Sequence, residues 1–299
     1  MAPSGRRQVR LAHLSVALAG VCFGSTFIPV KDAVRHAGPV PFLAARFVIA
    51  ALILWPVARR RTPADGEALW GLAAGVPLLA GYLLQTYGLR YTTASVSAFI
   101  TYLLVIMVPL IVAVTARRLP SPAVVVGVVL STVGLWLLTG AHPRLGLGEV
   151  LTIGCAFAFA VNIIAIDAGV RRVDPIRLTA MQLAVVGFGC LVPGFFAGGY
   201  RMPASSWAAA AYTAVTASAL AFGLQVYGQR RVGPTRTSLL LMIEPVTAAV
   251  IGYLTGERLG GTGLGGAALI LAGIAVAEAP AVTGDSAPVA ADGQPPGPS

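Results

Sequence analysis

A lone carboxylate, Glu244, interrupts the apolar run LLMIEPVTAAVIGYL at residues 240–254, and Pro245 follows it directly. An ionised acid at the centre of a bilayer costs roughly 2.5–3.5 kcal/mol on insertion scales, so by default such a group faces a cavity or a partner. It is tolerable there if it carries a proton, or if a water-filled path reaches it. Helical spacing places Thr237, Leu241, Glu244, Ala248, Ile251 and Thr255 on one stripe. Being largely small or polar, that stripe suits a bundle interior better than lipid. Two readings of Glu244 stand side by side. In one, it exchanges protons and helps couple solute movement to a proton gradient. In the other, it satisfies backbone: Pro245 has no N–H for the carbonyl of Leu241, and a protonated Glu244 hydrogen-bonds to freed backbone nearby.

Other polar groups sit in equally apolar surroundings. Arg46 has the forked donors that suit a carboxylate or phosphate, yet its long stem also allows the head group to snorkel to the interface. Lys31 is open to the same two readings. It shares a helical face with Gly20 and Gly24 of GVCFG, whose small-xxx-small spacing lets helices approach closely. Asn162, Gln182, Gln85, Gln225, Tyr82 and Tyr102 are uncharged, and in lipid each needs an internal partner. They serve either as glue between helices or as hydrogen-bonding groups for a polar solute. The tyrosines are also able to hold an apolar or cationic body. Asp167, four residues before Arg171, reads as half of a surface pair, and Glu257 with Arg258 as a helix end cap or loop ion pair.

Enzyme chemistry finds no support. His13, His36 and His142 lie at or near the ends of apolar runs with no mid-membrane Ser, Asp or Cys partner at useful spacing, and there is no HExxH, Walker loop or GxSxG. Cys22, Cys155 and Cys190 have no short-range partners, so neither a disulfide framework nor a metal site is expected, and no cofactor motif is present.

The elements that must carry these residues follow from composition. Of 299 residues, 57% are hydrophobic and only 11% charged, a balance that describes an integral membrane protein. Crossing a hydrocarbon core takes about 20 apolar residues as helix. Ten such helices are expected, at 11–34, 40–58, 67–89, 93–116, 121–140, 147–170, 176–199, 205–229, 235–255 and 262–279. The net charge of +10 is not gathered on a polar segment, which argues against nucleic acid as a partner. Instead the cations alternate between the connecting segments. One set contains Arg6, Arg7, Arg10, Arg59 to Arg61, Arg117, Arg118, Arg171, Arg172, Arg177, Arg230, Arg231 and Arg236; the other contains only Lys31, Arg35, Arg90, Arg144, Arg201 and Arg258. Because Lys and Arg favour the cytoplasmic side, both termini are expected there, in a multi-pass cytoplasmic-membrane protein. The N-terminus imitates a signal peptide, but its apolar part continues to about Val34, as a retained first span would. Residues 281–299, rich in Pro, Gly, Ala and Asp, read as a disordered tail.

The chain also repeats itself. Pro109 and Pro245 are 136 residues apart, and the same shift pairs Phe23 with Phe159, Thr26 with Asn162, Lys31 with Asp167 and Arg46 with Gln182. A shift of 140 pairs Gln85, Tyr87 and Gly88 with Gln225, Tyr227 and Gly228, and 139 pairs Gly127 and Gly134 with Gly266 and Gly273. After residues 1–10, the halves run 11–140 and 147–280, with five spans each. Five is odd, so the second half enters the membrane from the opposite side. Such inverted-topology repeats typify secondary transporters, whose site lies near the midplane between the repeats.

At these residues the chain resembles the EamA family of the drug/metabolite transporter superfamily. The likeness rests on YTTASVSAFITYLLVIMVPLI, on ARF with Arg46, and on LLMIEPVTAAVIGYLTGERLGGTGLGGAALILAGI, and it covers about 11–280. It implies ten helices in two inverted EamA repeats, moving small metabolites, often amino acids or drugs, usually outward. Where many relatives carry a Glu at the end of the fourth helix, this chain has Thr115, Ala116, Arg117 and Arg118. The expected function is therefore export of a small organic, amino-acid-like solute across a lipid bilayer by alternating access, with the oligomeric state left open. Alternatives are a non-transporting sensor or assembly protein, and a nucleotide-sugar carrier, which needs more midplane cations than Arg46 and Lys31 supply.

Overall fold

A computed structural model of the chain describes residues 3–88, 90–92, 94–117, 119–140, 145–254 and 260–283. Among them are ten helices long and apolar enough to cross a membrane: Arg7–His36, Pro39–Ala58, Glu67–Gly88, Val96–Ala116, Pro122–Thr139, Leu147–Gly169, Pro175–Phe196, Ala204–Val232, Pro234–Leu254 and Gly261–Ala279. They are called the first to tenth spans below. Apolar side chains such as Leu14, Leu52, Val114, Phe188 and Phe196 are exposed, as a lipid-facing surface requires. His142, Arg144, Thr255, Glu257 and Arg258 lie outside the described residues, as does most of the expected tail.

Four spans are not the unbroken rods expected from their composition. The first comprises Pro3–Ser25 and Phe27–His36, and it breaks at Thr26, where the hydroxyls of Ser25 and Thr26 donate to the carbonyls of Cys22 and Phe23, both at 2.8 Å. Such back-bonding competes with the helical ladder. The fourth breaks at Leu103 and the ninth at Leu241 and Met242, each a few residues before a proline, Pro109 or Pro245. Within the eighth, Ala214–Leu220 winds as a π-helix between Ala204–Thr213 and Ala221–Val232.

The packing exchanges helices between the halves. The fifth span lies against the tenth and the second against the seventh, so these pairs join equivalent helices. By contrast, the first span packs on the eighth and ninth, and the sixth on the third and fourth. Each three-span group thus takes its first helix from the opposite half. Small residues permit the approach. A Cβ at Gly127 would lie 2.7 Å from the carbonyl oxygen of Gly273, and one at Gly24 would lie 2.5 Å from that of Glu244. The GVCFG pair therefore lets the ninth span seat directly on the first.

Candidate functional site

Between the two three-span groups lies a cavity of about 490 Å³. It runs from mid-span residues to Pro39 and Arg90, at span ends opposite the face where the first span starts and the tenth finishes. That starting face is called the near face, the other the far face.

Glu244, Arg46, Asn162, Gln85, Gln225, Tyr82 and Tyr102 all line this cavity. Each comes from a different turn of the second, third, fourth, sixth, eighth or ninth span, so only the fold brings them together. Gln182 does not line it; the side chain stands one step behind, accepting a hydrogen bond from Asn162 Nδ2 at 3.1 Å. The backbone of Lys31 belongs to the first span, and its side chain lies outside the described residues.

Local structure decides where Glu244 points. The carbonyl of Leu241, which Pro245 leaves without its usual donor, accepts instead from the backbone N–H of Glu244 at 2.9 Å. Its lone pair is thus served by backbone, and the carboxyl is left to face the Tyr102 hydroxyl across the cavity wall.

Arg46 is only 5% exposed, so it does not snorkel. Its Nε donates to Ser218 Oγ at 2.8 Å, and its guanidinium carbon lies 5.1 Å from the Phe47 ring centre and 5.8 Å from that of Tyr82. These rings belong to a collar that sequence spacing alone did not assemble. Tyr82 meets Phe47 at 4.9 Å and Phe159 at 5.3 Å, and Phe23 meets Phe222 at 5.0 Å, all edge-on. Phe23 and Phe159 are mates under the shift of 136, and Tyr82 and Phe222 under that of 140. The collar therefore keeps the internal symmetry, while the charges break it: Arg46 answers to Gln182 and Glu244 to Val108. The repeat pairing of Phe23 with Phe159 was the available signal for the collar. Nothing comparable announced Ser97, Thr86 or Thr101, which line the wall, Thr101 accepting from Gln85 Nε2 at 3.3 Å.

Toward the near face the cavity ends in a seal. Asn162 Nδ2 donates to the carbonyl of Ala74 at 2.8 Å, and Gln229 Nε2, fully buried, donates to that of Ile163 at 2.5 Å, joining the two three-span groups. Ala74, Ile166, Val170, Val173, Leu178 and Val226 form an apolar plug below. Beneath it, Arg177 grips Glu67 in a two-pronged ion pair, with Nε 2.6 Å from Oε2 and Nη2 on Oε1. Arg177 Nη1 also donates to the carbonyls of Ala58 and Arg61 at 3.1 and 3.3 Å. His13 Nε2 lies 2.7 Å from Glu278 Oε2, an ion pair between the first and tenth spans whose acidic partner the sequence did not announce. Glu278 escaped notice because it lies 265 residues away, at the very end of an apolar run. The Asp167 to Arg171 pair is present at 3.1 Å.

Sequence comparison supplies the family for this geometry. A model of the EamA-like transporter family matches residues 10–140 and again 146–278, which together make up most of the chain and coincide with its two halves. The chain belongs to the EamA-like transporter family. An uncharacterized transporter of Archaeoglobus fulgidus is 33% identical over 57% of this chain, a match that spans only 54% of that relative. A second one from the same organism is 27% identical over 91% of this chain and 97% of its own length. A WAT1-related chloroplastic protein of Arabidopsis thaliana is 26% identical over 84% of this chain and 66% of its own. Among solved structures, one described simply as the crystal structure of a protein superposes with a TM-score of 0.77 at 20% identity, covering 89% of this chain and 96% of that one. That likeness speaks to the fold. EamA membership makes this a membrane transporter with ten apolar helices in two repeats, acting on a small molecule in a lipid bilayer.

Proposed function

We propose that this transporter exports a small amino-acid-like solute from the cytoplasm by alternating access, with proton exchange at Glu244 contributing to coupling. The observation that carries the reading is a cavity, open toward one face and sealed toward the other, whose lining includes a guanidinium, a carboxyl and a collar of aromatic rings. Arg46 offers its terminal nitrogens to a carboxylate, Glu244 an acceptor to an ammonium, and the collar an apolar surface to a side chain. The cation asymmetry of the connecting segments supports a near face on the cytoplasmic side, which places both termini there and makes the described state outward-facing. Neither a sensor nor a nucleotide-sugar carrier is favoured by any feature of the cavity. Among the described residues its other lining cation, Arg90, stands at the mouth, beside Tyr87, and so does not add to the positive charge at depth.

Counterflow of labelled amino acids in proteoliposomes tests the reading. Wild-type protein should exchange at least one of them with a dependence on pH, and Glu244→Gln should exchange with that dependence flattened. An unchanged pH profile in Glu244→Gln removes the coupling role, and absence of any exchange removes the substrate class.

A further inference from the structure

Ala214–Leu220 departs from α geometry, its close marked by the Ala221 N–H donating to the carbonyl of Thr216, five residues back. A π turn carries an extra residue and is rarely kept unless it delivers a side chain to a useful place. Under the shift of 140 its counterpart is 74–80, within the continuous α-helix Glu67–Gly88. The wide turn therefore belongs to one half only, and no general demand of the repeat explains it.

What it delivers is Ser218. That side chain is fully buried, against the second span, and its Oγ accepts from Arg46 Nε at 2.8 Å. The same internal symmetry sends Ser218 to Leu78 and Arg46 to Gln182, so the other half has no equivalent contact. Ser218 holds one edge of the guanidinium while the rings of Phe47 and Tyr82 stand close to it. The guanidinium stays at the cavity wall, with the Tyr82 hydroxyl and Glu244 as its polar neighbours, and among the described residues no carboxylate forms an ion pair with it. A guanidinium left in this way is a strong site for a planar two-oxygen anion, because two parallel N–H bonds form only when the fork is correctly turned.

We propose that Ser218, presented by the π turn, is a positioning residue that sets the angle of Arg46 for a carboxylate. The inference rests on reading the cavity as the solute site. It adds that selectivity for a carboxylate over a neutral group of the same shape is fixed from behind, by the eighth span.

Isothermal titration of the purified full chain with benzoate and with benzamide, its neutral isostere, measures this directly. Wild-type protein should prefer benzoate by about tenfold or more, and Arg46→Gln should abolish the preference. Ser218→Ala should reduce it about fivefold while benzamide affinity stays constant, and Ser218→Thr should restore it to within about twofold. Should Ser218→Ala fail to fold, Ser218→Cys, with a poorer acceptor of similar volume, carries the same expectation. A full benzoate preference in Ser218→Ala or Ser218→Cys, with Arg46→Gln lacking it, overturns the positioning role and leaves the solute site standing. No benzoate preference in wild-type protein overturns both.

Discussion

The two ends of the cavity are built from different materials. At the near end, the three-span groups are joined by the buried hydrogen bond from Gln229 and by an apolar plug, while the bidentate grip of Arg177 on Glu67 ties the third span to the seventh. At the far end the lining residues Val30, Val34, Pro39, Ser97 and Arg90 stand apart around the mouth. Internal symmetry would reproduce the near-end contacts at the far end in the opposite state, but the side chains do not repeat. Arg177 answers to Pro41 under the shift of 136, and Gln229 to Leu89 under that of 140. Closing the far end therefore cannot recruit the same bonds, and the state described here is stabilised by interactions its alternate lacks. The alternating-access cycle proposed above would then have unequal resting states, with the bound solute supplying the difference.

One assay breaks or sharpens the contrast: maleimide reaction of a cysteine placed at Val170, inside the plug and 1% exposed, in a background without native cysteines. Arg177→Ala should have the largest effect. It removes the charged donor from Glu67 and one donor from each of two carbonyls, and a shift of about 2 kcal/mol toward the opened near end would speed labelling by roughly thirtyfold. Labelling at the wild-type rate would mean that the ion pair does not hold this end. Gln229→Leu should follow, with a gain of about fivefold, because it removes one buried hydrogen bond worth about 1 kcal/mol. The smallest effect belongs to the far end. Arg90→Gln alters an exposed cation beside Tyr87, and labelling should stay within about twofold of wild type at moderate salt. A large change there would erase the distinction between the ends.

Much of the scaffold could be read from residue order. Long apolar runs announced ten spans, and the mates at 136 to 140 residues announced two halves, because duplication leaves a fixed offset that survives divergence at prolines, glycines and polar positions. Glu244 and Arg46 stood out for an energetic reason, since charged groups are rare in apolar runs. The breaks were less visible. Nothing in AVTASAL marks a π turn, because its small residues fit α geometry equally well. Glu67 and Arg177 looked like ordinary span-end charges, and their meeting across 110 residues is a product of packing that no local period encodes. Ser218 and Glu278 were hidden for the same reason.

The exchanged first helix also sets terms for how the protein is made. During synthesis the first span reaches the bilayer long before the eighth and ninth, the neighbours against which Ala12, Gly20 and Gly24 are fitted. Its glycine-notched side must wait among lipids or under the care of insertion machinery until more than half the polypeptide has followed. Maturation is thus completed late, by threading an early-inserted rod into a seat that only the second half supplies.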